Sequence, residues 1–97
     1  MSRLSADEAA DLGLVNEVLR GDASFEEQAL EWCMDIATRA PLALSAIKEN
    51  MNRAWLVDLG TALDAEAVNM TSTMRTKDHK EAVAAFVEKR TAVFTGE

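Results

Sequence analysis

Helix-start signals recur so closely along this 97-residue chain that little of it is left for any other structure. Ser5 stands three residues before Glu8, Ser24 three before Glu27, and Asp78 three before Glu81. In such a pair the first side chain accepts the backbone N–H of the third helical residue, whose carboxylate reaches back to the cap. Asp58 offers a further cap ahead of Leu59. Pro41 ends one helix and suits the first position of the next, because its fixed φ is already helical and it has no N–H to satisfy. Gly13 is a natural stop for the leading segment.

Between these signals the apolar residues fall at helical spacing. "SADEAADLG" predicts a short leading helix, "LVNEVL" (Leu14 to Leu19) a short extended link, and "RGDAS" a turn. The helix opened by Ser24 gathers Phe25, Ala29, Trp32, Cys33, Ile36, Ala37 and Ala40 on one face. "PLALSAIKENMNRAW" places Leu44, Ile47, Met51, Ala54 and Trp55 in a stripe expected to be buried. A fourth helix covers about Leu59 to Arg75, with Leu63, Ala67, Met70 and Met74 in line. "TKDHKEAVAAFVEKR" restarts with Asp78 as the expected cap and Ala82, Val83, Phe86 and Val87 or Arg90 as its face. No run alternates long enough for a sheet, and no repeat or low-complexity tract is present. The expected fold is all-α, four main helices behind a short leading one, in a single domain over residues 1–97.

A chain of this size buries roughly 60–65% of its unfolded surface and is marginally stable unless something helps. Its apolar share of 48% is too high for a disordered tail, yet apolar faces on four helices exceed what so short a chain can cover. Self-association is therefore expected. The ending "TAVFTGE" sharpens the point, since Val93 and Phe94 have nothing local to pack against.

Charge excludes several classes of partner. Seventeen acidic residues against 10 basic ones give a net charge of −7, and no window holds more than two adjacent bases. Neither a nucleic acid nor an anionic membrane surface is an expected partner. No apolar run approaches the roughly 20 residues of a membrane span, and "MSRLSADEAADLG" is too polar and charged for a signal peptide. Cys33 and His79 stand alone in type, so neither a disulfide framework nor a zinc site is expected. A reducing, cytoplasmic setting fits.

The search for catalytic chemistry finds little. The four glycines, at 13, 21, 60 and 96, form no phosphate loop. Cys33 lies on an apolar face and is expected to be a buried structural thiol. His79 is expected to be a solvated helix-start residue beside Lys80. Glu66 flanks the stripe of the fourth helix as an isolated candidate acid, and Met51, Met70 and Met74 read as core or interface filler. Phe86 and Lys89, three apart, are expected to share a helix face. An aromatic plate with a cation at its edge can stack a base and hold a phosphate, although by spacing alone a core Phe and a surface Lys is the far commoner arrangement.

Three stretches, in order, resemble the enoyl-CoA hydratase/isomerase (crotonase) family. "RLSADEAADLGLVNEV" is similar to the segment that follows the family's catalytic region, and "APLALSAIKENMNRA" to its Pro-initiated helix. "DHKEAVAAFVEKRTAVFTG" resembles its C-terminal signature, with Glu81, Ala82, Ala85, Phe86, Glu88, Lys89, Arg90, Phe94 and Gly96 in matching positions. Ala92 stands where family tails often carry Pro, and Gly60 and Thr61 where acidic helix formers are common, so the subfamily is left open.

The resemblance implies that these residues are the family's C-terminal helical assembly domain. The upstream β/α spiral domain, with its oxyanion-hole amides and acid–base glutamates, would then be absent, making the chain a fragment. The parent would hydrate 2-enoyl-CoA thioesters in fatty-acid β-oxidation, with hydratase, isomerase, hydrolase and decarboxylase left unseparated. The chain would be inactive alone and would contribute oligomerisation, in a trimer or dimer of trimers, and part of the CoA site. Phe86 and Lys89 would hold the adenine and phosphate end of CoA. The thioester would be substrate; no covalently bound cofactor and no metal is implied. The alternative is a non-catalytic helical oligomerisation module.

Overall fold

The computed structural model describes residues 2–97, and among them every regular element is an α-helix. In chain order these are α1 (Ala6–Asp11), α2 (Phe25–Ala37), α3 (Pro41–Ala54), α4 (Leu59–Met74) and α5 (Lys77–Glu88). The chain divides into two units, Met1–Met34 and Asp35–Glu97, with the division falling within α2.

In the first unit the α1 signals act as the sequence predicts, whereas the Ser24–Glu27 pair forms only the cap half of its expected box. Ser5 Oγ accepts the Glu8 N–H at 3.2 Å and Glu8 returns a carboxylate oxygen to the Ser5 N–H at 2.8 Å, a complete capping box. These bonds favour the charged carboxylate and hold Glu8 below the ordinary carboxylate range, the Ser5 backbone N–H acting most strongly. α1 closes with the Leu14 N–H on the Ala9 carbonyl and the Gly13 N–H on Ala10, and Gly13 takes the left-handed backbone (φ 73°) that this closure requires. Residues 14–19 form no strand, and Asp7 pairs with Arg20. Ser24 Oγ accepts the Glu27 N–H at 3.2 Å and starts α2.

In the second unit α3 packs against α4, and α5 touches α4. Pro41 occupies the first turn of α3 behind Ala40, which gives no side-chain cap. Asp58 caps α4 by accepting the Thr61 N–H at 2.8 Å, and that contact lowers its pKa. Asn69 donates to Asn50 Oδ1 at 2.6 Å, tying α4 to α3 through a half-buried polar pair.

Burial departs from the sequence expectation. The only buried apolar residue among the described residues is Ala85, at 2% exposed. Trp55, placed in a buried stripe by its spacing, is 90% exposed; Ile47, Met51, Leu63, Met70 and Met74 are also exposed, and Leu44 is half-buried. Cys33, expected to be a buried thiol, is exposed. Periodicity shows which side of a helix is apolar but not what covers it, and among the described residues nothing covers most of these faces.

The end of the chain differs most. The last helix is capped by Thr76, whose Oγ1 accepts the His79 N–H at 3.1 Å, and not by Asp78. Asp78 lies inside the first turn, 2% exposed, and accepts from the Thr95 N–H at 2.8 Å and the Gly96 N–H at 2.9 Å. The Asp78 N–H in turn donates to the Glu97 carbonyl at 2.9 Å, and Lys77 pairs with the Glu97 carboxylate. The tail therefore returns along α5 to its start. Gly96 also lies by Pro41, whose Cγ is 3.6 Å from where a Cβ would stand.

Candidate functional site

The end of α5 turns on residues 85–90. The Lys89 N–H bonds to the Phe86 carbonyl at 3.3 Å and the Arg90 N–H to the Ala85 carbonyl at 3.0 Å. This pair of bonds closes a helix in the way that normally places glycine at the left-handed position. Here that position is Lys89, with φ 56° and ψ 41°. A residue with a Cβ holds this backbone only when its surroundings over-determine it.

Those surroundings are ionic. Arg90 donates from Nη1 to Glu81 Oε1 at 2.6 Å and from Nη2 to Glu81 Oε2 at 3.0 Å, a bidentate fork. Its Nε reaches Glu88 Oε2 at 2.5 Å, and the Val93 N–H donates to Glu81 Oε1 at 3.0 Å. The Glu81 side chain is 26% exposed. Most exposed ion pairs contribute little; two-point geometry and a third donor from the tail separate this one from them.

The fork favours both charged forms. Arg90, and then the Val93 N–H, push Glu81 down to about 2 from an ordinary 4.5; Glu81, and then Glu88, raise Arg90. A carboxylate with a depressed pKa contributes stability above its unfolded value and loses it as pH falls through the folded one. The Glu81 contribution should therefore be complete at neutral pH, start to fade near 4.5 and vanish below about 2. NMR monitoring of the Val93 amide and Arg90 side chain during acid titration checks this; a transition complete above pH 4.5 would contradict it.

Of the predicted site pair, Phe86 is 85% exposed on the last turn of α5, so it is not a core residue in this chain. Lys89 does not continue the helix face that its spacing implied, because the helix ends at Glu88. Among the described residues no carboxylate pairs with the Lys89 ammonium, whereas Arg90 is held by two. The Lys-Arg doublet is thus divided into one structural cation and one available one. The sequence names Glu81 and Arg90 but does not pair them, because nine residues of continuous helix would put them on opposite faces; the fork forms where the helix ends and the chain turns at Lys89.

The other candidates assemble no catalytic group. Glu66 lines a cleft of about 220 Å³ between α3 and α4 with Asn50, Asn69 and Met70, and no second carboxylate among the described residues lines it. His79 is half-buried, lining a cleft of about 160 Å³ with Asp78 and Thr76, and is less solvated than expected. No three potential ligands of the His, Cys, Asp or Glu type lie close enough for a metal among the described residues. No helix among them is long and apolar enough to cross a membrane.

Comparison with known proteins bears on the whole chain. A family model described as enoyl-CoA hydratase/isomerase matches residues 1–97. The short-chain-enoyl-CoA hydratase of Clostridium acetobutylicum is 37% identical over 87 residues, which cover 90% of this chain and 33% of that protein. The 2,3-dehydroadipyl-CoA hydratase of Escherichia coli is 34% identical over 93 residues, covering 96% of this chain and 36% of the relative. Among solved structures, an enoyl-CoA hydratase from Polaromonas sp. JS666 superposes with a TM-score of 0.87 at 35% identity, over 97% of this chain and 36% of that one. The chain thus spans about a third of the length of the relatives it matches.

Proposed function

The chain belongs to the enoyl-CoA hydratase/isomerase family, and from that premise we propose that it is the C-terminal helical domain, residues 1–97, of an enzyme that adds water across the double bond of a 2-enoyl-CoA thioester. Its work in that enzyme is assembly and a share of the CoA site: Phe86 stacks the adenine and Lys89 takes a phosphate of the nucleotide. The observation that carries this assignment is the end of α5, where an aromatic ring 85% exposed precedes an unpaired cation fixed in a left-handed turn. A base needs an open π-face and a phosphate needs a free cation, and both are present.

Catalysis itself belongs to the upstream domain. Backbone amides there stabilise the enolate oxygen and carboxylates move the protons. The purified 97-residue chain should accordingly show no turnover of crotonyl-CoA. Hydration that co-purifies with the chain and survives removal of contaminants would sink this division of labour. Addition of a short enoyl-CoA to the chain separates the CoA-site role from a pure oligomerisation module. NMR shifts at Phe86 and Lys89 are expected; silence at both overturns the site.

The exposed faces of α3, α4 and α5 support assembly. Isolated, the chain is expected to self-associate through them and to bind an apolar dye. Sedimentation showing only monomer at high concentration, with no dye bound, would contradict this.

A further inference from the structure

Among the described residues nothing pairs with the Lys89 ammonium, but the backbone on either side of it is held. Glu88, immediately before, takes Arg90 Nε at 2.5 Å; Arg90, immediately after, is forked onto Glu81 at 2.6 and 3.0 Å. Glu81 also accepts the Val93 N–H at 3.0 Å, so one carboxylate fastens the chain both one and four residues beyond Lys89. The Arg90 N–H, on the Ala85 carbonyl at 3.0 Å, completes the turn. These contacts hold Lys89 in a backbone region that lysine rarely occupies. They also neutralise Arg90, leaving Lys89 as the free cation of the doublet.

We infer that Glu81 is a positioning residue for Lys89, acting through Arg90: the fork fixes the left-handed turn that sets where the Lys89 side chain leaves the backbone, and so presents its ammonium to the phosphate end of a CoA ester. This rests on the proposed CoA-site role of Lys89 and adds to it the carboxylate that sets the lysine's place. Arg90 is then a clamp and not a phosphate ligand. Without the fork the turn can relax toward right-handed backbone, and the ammonium samples positions away from the ligand, so the free-energy cost falls on binding of the nucleotide end.

The test is a double-mutant cycle in the complete enzyme, this segment together with its upstream domain. The substrates are a CoA ester and a thioester truncated before the nucleotide. Glu81→Gln, which keeps shape but removes the charge, should raise KM for the CoA ester about three- to tenfold relative to the truncated ester. It should add nothing once Lys89→Ala is present. Arg90→Lys, which keeps charge but loses the fork, should behave likewise and serves if Glu81→Gln does not fold. Asp78→Asn loosens the tail elsewhere and should leave KM for the CoA ester in place.

The outcomes separate cleanly. If Lys89→Ala raises KM but the Glu81 and Arg90 variants do not, or their effects multiply with it, the positioning role is overturned while the CoA-site role stands. An equal rise in Asp78→Asn also overturns it, since any loosening of the tail would then suffice. If Lys89→Ala itself leaves KM in place, the CoA-site role fails and the positioning role with it.

Discussion

Lys89→Ala in the complete enzyme is expected to raise KM for a CoA ester roughly 5- to 30-fold while lowering kcat far less. A lysine on a remote phosphate contributes much the same to ground and transition states, so its removal appears in KM. The loss corresponds to about 1–2 kcal/mol for a charge-assisted contact that stays partly solvated. It should shrink as salt rises, because an exposed ion pair is screened. A thioester lacking the nucleotide should not register the change. Lys89→Gly provides a control on structure: glycine suits the left-handed turn at φ 56°, so affinity should fall without loosening the helix end. Steady-state kinetics at low and high salt check all of this. An unchanged KM at low salt would make Lys89 an ordinary surface lysine.

Asp78→Ala should destabilise the second unit by about 2–3 kcal/mol, the scale of charge-assisted hydrogen bonds to a buried acceptor. Asp78 is 2% exposed and accepts the Thr95 and Gly96 N–H groups, so its loss leaves two donors without a partner unless the tail detaches. Detachment is the expected outcome, visible as lost hydrogen-exchange protection at those two amides. Asp78→Asn keeps one acceptor oxygen and should recover part of the loss. Denaturant unfolding at fixed chain concentration measures the magnitude, the concentration being held because self-association shifts apparent stability. Retained protection of Thr95 and Gly96 in Asp78→Ala would show that the tail is held by something other than this carboxylate.

What was legible in the sequence was local. The Ser5–Glu8 box, the Gly13 closure, the Ser24 and Asp58 caps and the Pro41 start each involve partners within a few residues, and all stand as expected. They suffice for an all-helical chain with its boundaries nearly right. Asp78 misled because its spacing to Glu81 imitates a cap. Its true partners are 17 and 18 residues on, and Thr76 already satisfies the helix start. Glu81 was claimed by the same false pair, which hid its fork to Arg90. The turn at Lys89 was illegible because the side chain is not the glycine that usually marks such a backbone. Trp55 and Cys33 show the remaining limit: an apolar face was read correctly as apolar, but burial depends on a covering surface that this chain does not supply. Phe86, a candidate base-stacking residue from its spacing to Lys89 and from the family resemblance, is exposed in this chain as Trp55 is.

The most direct test is a crystal structure of the complete enzyme with a CoA ester bound. The adenine is expected in van der Waals contact with the Phe86 ring, with a phosphate oxygen within hydrogen-bond distance of Lys89 Nζ and Arg90 still forked onto Glu81. A nucleotide bound elsewhere, with Phe86 and Lys89 both free of it, would contradict the account.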